Sequence, residues 1–483
     1  MKDDIFQKVT LLKYLYLLGF GVLTIVFAVY RFWVLPDGLS TAEIESAAIS
    51  GQFSLSQLAT NFSEHTSWLV NLPWTILQNL SISIFGFSTF ALRLPAVILM
   101  TLSAFGLVFV ACKLLKKNIA ITSGFLIISS ALFMSLARSG DGAAMMIFLI
   151  ALTLLSVVKI LSVQSGWQEI FFRIITVLAL ASLLYMRGGI YIIATVTLVG
   201  VLHPKIRLFF LRDKIWKLIP KIVIGLIIVA PLAIGFVVGS HDFIWSLLLV
   251  DGGSWSLQNL SLLGTSLTGI GAGLSGGLIT PIIGIVGLII AVIGLIKVIA
   301  NFFSVRSYLI LALLILAVKL SIYQPQFTFL LFIPLALLMT IGISILIEKW
   351  SNLFPLNPYA HVIVSFLVGF IIFINCWVSI SHFIAANKYD STVVYHYNQE
   401  FDAVREFLSS QDESNFTLVV AENEKDFYQN LTRDFVGLRV AANAEDNDDS
   451  LIILNSSNQE IDKVPTKVVT NSRLYNSILL RIY

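Results

Sequence analysis

Long apolar runs separated by short polar segments dominate the first 384 residues of this 483-residue chain. Apolar runs of about 17–25 residues can cross a hydrocarbon core as helices, which satisfy their own backbone hydrogen bonds in lipid. The runs are continuous rather than alternating, which favours a helical membrane protein over a β-barrel. We predict about eleven membrane-spanning helices, at 12–35, 91–112, 119–136, 143–161, 172–185, 190–202, 222–238, 277–299, 307–322, 327–347 and 362–383.

The pattern changes after residue 384. FDAVREFLSS has the spacing of an amphipathic helix, and several short β-branched runs separated by Asn, Asp and Ser predict strands. The strand candidates are FTLVVA, SLIIL, TKVVT and SILLRIY. We therefore predict a transmembrane domain over 1–384 and a small soluble α/β domain over 385–483.

The loop after the first run, residues 36–90, contains a second helical pattern at 67–86. Its apolar spacing, interrupted by Asn and Gln, indicates an amphipathic helix lying in the membrane interface. Trp68 and Trp74 would suit the headgroup level, where aromatic rings are favoured.

Charge is divided unevenly between the two parts. From Ala385 onward the chain has 16 acidic and nine basic residues, whereas the part before it is basic. The basic clusters KLLKK, HPKIRLFFLRDKIWK and EKW all lie inside if the N-terminus is cytoplasmic, as the positive-inside rule requires. This orientation in the plasma membrane places loop 36–90 and the acidic C-terminal domain outside. We expect membrane lipids, and no nucleic acid, as partners.

Acidic residues near the predicted outer helix ends are the candidate catalytic groups. They are Asp37, Glu43, Glu45 and Asp141. Each also has an ordinary structural explanation: PDG is turn chemistry, two of the acids fit the first turn of a helix, and GDG fits a helix cap. Because their two loops lie on the same predicted side, a carboxylate from each could face one cavity.

Candidate substrate-binding cations lie on the same side. Lys319 is within a membrane run, where a charge is costly and marks a functional site, unless its side chain reaches back to the interface. Arg187 in YMRGG could hold the same anion, and Arg138 could bind substrate or pair with Asp141. His65 is either solvated or, with Glu43, part of a divalent metal site. The two cysteines, Cys112 and Cys376, lie in apolar runs, so a Cys-based metal site is excluded.

Four segments carry a resemblance to a known family. They are STAEIE (40–45), IFGFSTFALRLP (84–95), ARSGDGAAMMIF (137–148) and YQPQFTFLLFIPLALLMTIGI (323–343). Over roughly the first 350 residues the chain resembles the GT-C glycosyltransferases of the protein-mannosyltransferase and aminoarabinose-transferase type. The resemblance implies a GT-C membrane core with two juxtamembrane helices in the first external loop.

The resemblance also implies an activity. Such an enzyme transfers a sugar from a polyprenyl-phosphate donor to a glycan, lipid or protein acceptor on the outer face, with inversion. In the family an Asp-Glu pair in the first loop supplies the general base, and a later acid orients the acceptor or a metal. Here that pair falls on Ala42-Glu43, so we assign the base to Glu43, Glu45 or Asp37, with Asp141 orienting.

Two non-catalytic functions are the alternatives to a glycosyltransferase. A catalytically inactive GT-C-like scaffold or binding protein of the cell envelope would explain Ala42. A transporter is disfavoured, because the sequence has no internal repeat, no paired Gly/Pro-broken spans and few intramembrane charges.

Overall fold

The computed structural model describes most of the chain. The described residues are 17–54, 56, 58, 66–115, 117–162, 166–204, 207, 219–238, 242–249, 253–268, 282–354, 358–389, 397–410, 416–435, 437–443, 451–457, 465–471 and 477–483.

Helices make up the part before residue 390. They are α1 (Leu17–Val29), α2 (Thr41–Gln52), α3 (Leu72–Phe85), α4 (Thr89–Leu114), α5 (Lys117–Ile128), α6 (Ala131–Leu136), α7 (Ala143–Ser162), α8 (Trp167–Leu183), α9 (Gly189–Leu202), α10 (Ile219–Val238), α11 (Asp242–Leu247), α12 (Leu257–Thr268), α13 (Gly284–Ala300), α14 (Val305–Tyr323), α15 (Phe332–Leu353) and α16 (Pro358–Tyr389). Among the described residues, α4, α7, α10, α14, α15 and α16 are long and apolar enough to cross a membrane, whereas α1, α5, α9 and α13 are shorter apolar helices.

All eleven predicted apolar runs contain helix within the described residues, but 12–16 and 277–281 lie outside them and 30–35 is a turn. Two further runs are irregular. The run 119–136 is divided at Ser129 and Ser130, where the Ser130 hydroxyl caps α6 by accepting from the Phe133 amide at 3.2 Å. The run 327–347 begins as the 3₁₀ helix Pro325–Leu331, since Pro325 opens it and fixes the first turn. The 3₁₀ helix supplies Gln326, Phe327 and Phe329 to the site described below.

Within its described residues, the C-terminal domain contains one five-stranded sheet, two α-helices and short 3₁₀ helices. Its elements are α17 (Glu400–Ser409), β3 (Phe416–Val419), α18 (Lys425–Gln429), β4 (Leu438–Ala441), β5 (Leu451–Leu454), β6 (Lys467–Asn471) and β7 (Ser477–Ile482). The order is β4-β3-β5-β7-β6; β3 is parallel to β4 and β5, and β7 is antiparallel to β5 and β6. The four predicted strands are present, and β4 is an additional one.

The C-terminal domain and loop 36–90 share one hydrophobic core. Phe87 packs against the rings of Phe401 and Phe427, with centroids 5.6 and 5.2 Å away. At the edge of this core the Phe87 amide donates to Asp434 Oδ2 at 2.7 Å, and the Thr89 hydroxyl donates to Asp402 at 2.6 Å. The domain is therefore packed directly onto the loop.

A two-stranded antiparallel sheet joins the same two parts of the chain. It pairs β1 (Leu39–Ser40) with β2 (Tyr397–Asn398). Close approach at this point requires Gly38, which has φ of 91° and whose added Cβ would lie 2.5 Å from the Asn398 carbonyl oxygen.

Trp68 and Trp74 lie inside the protein, rather than at the interface level that we predicted. Trp74 is fully buried, and its indole N–H donates to the Ser46 hydroxyl of α2 at 2.8 Å. Trp74 is buried because α2 covers this face of α3. From the sequence pattern alone, the same face was expected to point toward the lipid headgroups.

Candidate active site

A cavity of about 410 Å³ lies where α2, α3, the start of α7 and the turn after α8 meet. This volume is in the range of small-ligand sites. The polar groups that line it are Glu45, Ser46, Ser67, Asn71, Thr75, Asp141, Arg187, Ser246 and Gln326, and the apolar ones include Ala42, Ile49, Met146, Met186, Phe243, Phe327 and Phe329.

A buried ion pair forms the floor behind this cavity. Arg93 of α4 is fully buried and donates from Nε to Glu43 Oε1 at 2.9 Å and from Nη2 to Oε2 at 3.2 Å. The same guanidinium donates to the carbonyl oxygens of Pro36 and Gly38, at 2.9 and 2.6 Å. It therefore fixes the chain that leads into α2.

Glu43 itself holds three segments together. Its carboxylate accepts from the Ser40 amide at 2.9 Å, completing a capping box at the start of α2, and from the Gly140 amide at 2.7 Å. With the two bonds from Arg93, its acceptor sites are filled. Glu43 is buried and does not line the cavity.

The loop that carries Asp141 is held from behind by Gln78. This buried side chain donates to the Gly140 carbonyl at 2.9 Å and to the Leu92 carbonyl at 3.1 Å, and it accepts from the Ser50 hydroxyl at 2.7 Å. Gly140 packs against the Glu43 carboxylate, where an added Cβ would lie 3.1 Å from Oε1. The first-loop helix and the Asp141 loop are thus in direct contact, as their predicted shared side required.

Asp141 lines the cavity at the start of α7. Its Oδ1 accepts from the Ser139 hydroxyl at 2.7 Å and from the Ala143 amide at 3.0 Å, so the predicted capping role is also present. Burial raises the pKa of Asp141, while these two hydrogen bonds act in the opposite direction. A raised pKa makes a carboxylate a better proton acceptor near neutral pH.

Arg187 supplies the positive charge of the cavity. It follows α8, and its amide lies 3.4 Å from Asn71 Oδ1, while the Asn71 amide donates to the Tyr185 carbonyl at 2.7 Å. Within the described part of the chain, the buried Arg187 Nε has no hydrogen-bond partner. A guanidinium with unused donors in a cavity is suited to bind an anion such as phosphate.

Ala42 and Glu45 form one side of the cavity wall. They lie three residues apart on α2, so their side chains share a face, and both are exposed. Within the described residues, the Glu45 side chain makes no hydrogen bond or ion pair. Its carboxylate is thus available to a ligand, unlike that of Glu43.

The remaining predicted site residues lie elsewhere. Asp37 is half-buried in the turn before β1 and does not line the cavity. Arg138 is buried and donates to the carbonyls of Met134, Phe27 and Tyr30 at 2.7–2.9 Å, rather than pairing with Asp141. Lys319 lies on an exposed face of α14, away from the cavity lining.

Metal binding gains no support from the described residues. His65 lies outside them, and within them no group of three or more His, Cys, Asp or Glu side chains is arranged to hold a metal ion.

Several residues of the site were not predicted from the sequence. Gln78 and Asn71 were interpreted only as polar interruptions of an interfacial helix, yet one holds the Asp141 loop and the other lines the cavity. Arg93 is fully buried, and its partner Glu43 lies 50 residues away in the sequence. A polar side chain on the buried face of an apolar helix is the sequence pattern that would have predicted these residues.

One protein-family model matches the part of the chain that contains the cavity residues of α3, α7 and the turn after α8. The family model described as dolichyl-phosphate-mannose-protein mannosyltransferase matches residues 72–234, which include α3, the Asp141 loop and Arg187. No curated protein matches the sequence significantly.

Solved structures share the fold. ArnT from Cupriavidus metallidurans has a TM-score of 0.57 in the apo state and 0.56 bound to undecaprenyl phosphate; both are 10% identical, and the matches cover 95–96% of this chain and 97–98% of theirs. The oligosaccharyltransferase AglB from Archaeoglobus fulgidus, in complex with an inhibitory peptide and a dolichol-phosphate, has a TM-score of 0.51 at 12% identity. That match covers 86% of this chain and 63% of AglB. The resemblance seen in the sequence is confirmed: residues 72–234 match the protein-mannosyltransferase family model, and the chain has the fold of ArnT and AglB.

Proposed function

We propose that the protein transfers a sugar from a polyprenyl-phosphate donor to an acceptor hydroxyl or amine in the cavity described above. The observation that carries the proposal is the placement of two carboxylates, Glu45 and Asp141, and the Arg187 guanidinium, whose Nε has no hydrogen-bond partner among the described residues, around one cavity. The ArnT structure bound to undecaprenyl phosphate shares the fold and supports the donor class.

The three side chains have complementary roles in one displacement. Glu45 or Asp141 accepts the proton of the acceptor as its heteroatom attacks the anomeric carbon. The bond from that carbon to the phosphate oxygen breaks, and polyprenyl phosphate leaves with the electron pair. Arg187 stabilises the charge that develops on this phosphate. A single displacement inverts the configuration at the anomeric carbon.

Glu43 is given a supporting role in this proposal. Its acceptor sites are filled by Arg93, Ser40 and Gly140, so it positions α2 and the Asp141 loop without touching substrate. The general base that we assigned to Glu43 therefore passes to its neighbour Glu45 or to Asp141. Arg187 in turn takes the phosphate-binding role that Lys319 shared in our prediction.

The topology of about eleven spans belongs to the same proposal. With the N-terminus in the cytoplasm, the cavity and the C-terminal domain lie on the outer face of the plasma membrane, and 1–384 and 385–483 are the two domains. The acceptor, whether glycan, lipid or protein, would enter from that side.

A catalytically inactive scaffold is the second candidate, and one observation favours it. Ala42, at the position of the family's Asp, lines the cavity, whereas Glu43, at the position of the family's Glu, retains a structural ion pair. Loss of the reactive acid with retention of the structural one is the pattern of a non-catalytic relative.

Donor turnover distinguishes the two candidates. The purified protein in liposomes would be given undecaprenyl-phosphate sugars and a mixture of envelope glycans and lipids, and the release of undecaprenyl phosphate would be measured. Glu45→Gln and Asp141→Asn are expected to lower turnover, by about 10²–10⁴-fold for the general base. Glu348→Gln, an exposed acid near the end of α15, is the matched control. Wild-type protein that binds undecaprenyl phosphate but releases none from any donor would support the scaffold.

A further inference from the structure

The C-terminal domain reaches the candidate site through the pair of β1 and β2. Tyr397 lies directly opposite Ser40 in this pair. Side chains of directly opposed residues point to the same face, with Cβ atoms about 4.5–5.5 Å apart. The Ser40 hydroxyl accepts from the Glu43 amide at 3.3 Å to cap α2. The Tyr397 side chain therefore lies beside the turn that presents Ala42 and Glu45 to the cavity.

The electrostatic surroundings of Tyr397 agree with this position. Burial raises the pKa of its phenol, Glu43 and Asp141 raise it further, and Arg93 lowers it. The phenol therefore stays protonated near neutral pH. A neutral phenol beside carboxylates acts through its O–H dipole, which favours their ionised form.

Asp141 is the carboxylate that this dipole can influence most. Glu43 already accepts four hydrogen bonds, two of them from Arg93, whereas the recorded bonds of Asp141 within the described residues both go to Oδ1. The charged and titratable groups that surround Asp141 are Glu43 and Glu45 of α2, Arg93 behind Glu43, Arg187 across the cavity, and Tyr397.

We infer that Tyr397, although it belongs to the C-terminal domain, is a positioning residue of the candidate site. It packs beside the first turn of α2 through the pairing of β2 with β1, and its phenol lies within electrostatic reach of the Glu43 and Asp141 carboxylates. Its effect on Asp141 rests on the proposed function, whereas its effect on α2 does not. The C-terminal domain is then a part of the site rather than a separate appendage.

The effect on Asp141 is tested by the pH dependence of donor turnover in the full chain carrying Tyr397→Phe. Loss of the hydroxyl removes a group that favours ionised Asp141, so the acidic limb of the pH profile should move to higher pH by about 0.5–1 unit. Tyr483→Phe, at a half-buried position beside β5, is the matched control and should leave the limb in place. An acidic limb that Tyr397→Phe does not move overturns this role.

The effect on α2 is tested without any activity. Hydrogen–deuterium exchange of the amides in 43–52 and of Gly140 would be compared between wild type, Tyr397→Ala and Tyr483→Ala. Tyr397→Ala should raise exchange of these amides about fivefold or more, the size of the effect of losing a helix N-cap. Equal exchange in both variants overturns the inference. If the wild-type protein shows no turnover, the proposed function is rejected but the role of Tyr397 is not. The exchange experiment then decides whether Tyr397 holds α2.

Discussion

Glu43 and Arg93 form a buried ion pair that joins the first loop to α4 across 50 residues of sequence, with Nε and Oε1 2.9 Å apart. The two side chains are 2% and 0% exposed, so water screens neither charge. The other hydrogen bonds that the Glu43 carboxylate accepts come from the backbone amides of Ser40 and Gly140, in segments that line or support the cavity. The pair therefore determines where Ala42, Glu45 and Asp141 lie relative to one another.

Glu43→Gln is expected to destabilise the protein more than it alters chemistry. Removing one partner of a buried pair leaves an uncompensated charge, which typically costs about 3–5 kcal/mol. Thermal unfolding in detergent should therefore show a clearly lower Tm for Glu43→Gln than for Glu348→Gln. A Glu43→Gln protein with wild-type Tm but no donor turnover would contradict this assignment and return the general base to Glu43.

Ala42→Asp is expected to rescue the Glu45→Gln variant. Positions 42 and 45 share a face of α2, both line the cavity, and an acid in the first helical turn is compatible with the helix dipole. Donor turnover of Ala42→Asp/Glu45→Gln should exceed that of Glu45→Gln alone. Ala42→Asn/Glu45→Gln, which has the same shape without the charge, is the control. Equal turnover in the two double variants would show that no proton acceptor acts from this wall.

Much of the architecture was readable from the sequence because it depends on local periodicity. Apolar runs located the helices, and β-branched runs located four strands of the C-terminal domain. β4 was missed because the exposed Arg439 interrupts it, so it has no continuous apolar run, whereas β3 and β5 are equally short but have no charged residue.

The site was only partly predictable because its contacts are non-local. The meeting of the Glu43 and Asp141 loops followed from topology. Which of the two acids faces the cavity did not, since each residue along a helix rotates the side chain by about 100° and two residues therefore by about 200°. Glu43 and Glu45 differ in this way: one faces Arg93 inside the protein, and the other faces the cavity.

Arg187→Ala is expected to weaken binding of undecaprenyl phosphate. The guanidinium lines the cavity with Nε unpaired among the described residues, and a hydrogen bond to a charged group contributes about 1.5–3 kcal/mol. The dissociation constant, measured in detergent by native mass spectrometry, should rise roughly ten- to hundredfold. Arg439→Ala is the matched control, and Lys319→Ala measures the other predicted cation. If Lys319→Ala weakens binding of undecaprenyl phosphate and Arg187→Ala does not, the phosphate site lies at α14 instead.

Glu400 is expected to make the C-terminal domain less stable as the pH rises. Burial raises its pKa to about 7 from 4.5, while hydrogen bonds from the Ser456 amide at 2.9 Å and hydroxyl at 2.7 Å oppose that shift. The folded state therefore binds a proton more tightly than the unfolded chain, and stability falls between about pH 4.5 and 7. The loss is up to roughly 3 kcal/mol at 1.36 kcal/mol per pKa unit.

The Glu400 prediction is checked by urea unfolding of the full chain at pH 5 and pH 7.5, followed by exchange of the β-sheet amides. Glu400→Gln should reduce the difference in unfolding free energy between the two pH values. Glu406→Gln, an exposed acid on the same helix, should leave it unchanged. An undiminished difference in Glu400→Gln would assign the pH dependence to other buried acids, such as Glu424.

Gly51→Ala is expected to loosen the C-terminal domain from the first loop. An added Cβ would lie 2.4 Å from Asn430 Cγ, so Asn430 must move, and the Gly51 carbonyl also accepts a hydrogen bond from Arg433 beside it. Overpacking of this kind costs about 1–3 kcal/mol. Gly264→Ala, in α12 with no atom within 4 Å of the new Cβ, should be neutral or stabilising. Limited proteolysis between 385 and 400 should thus be faster in Gly51→Ala, and equal rates in the two variants would show that this contact does not hold the domain in place.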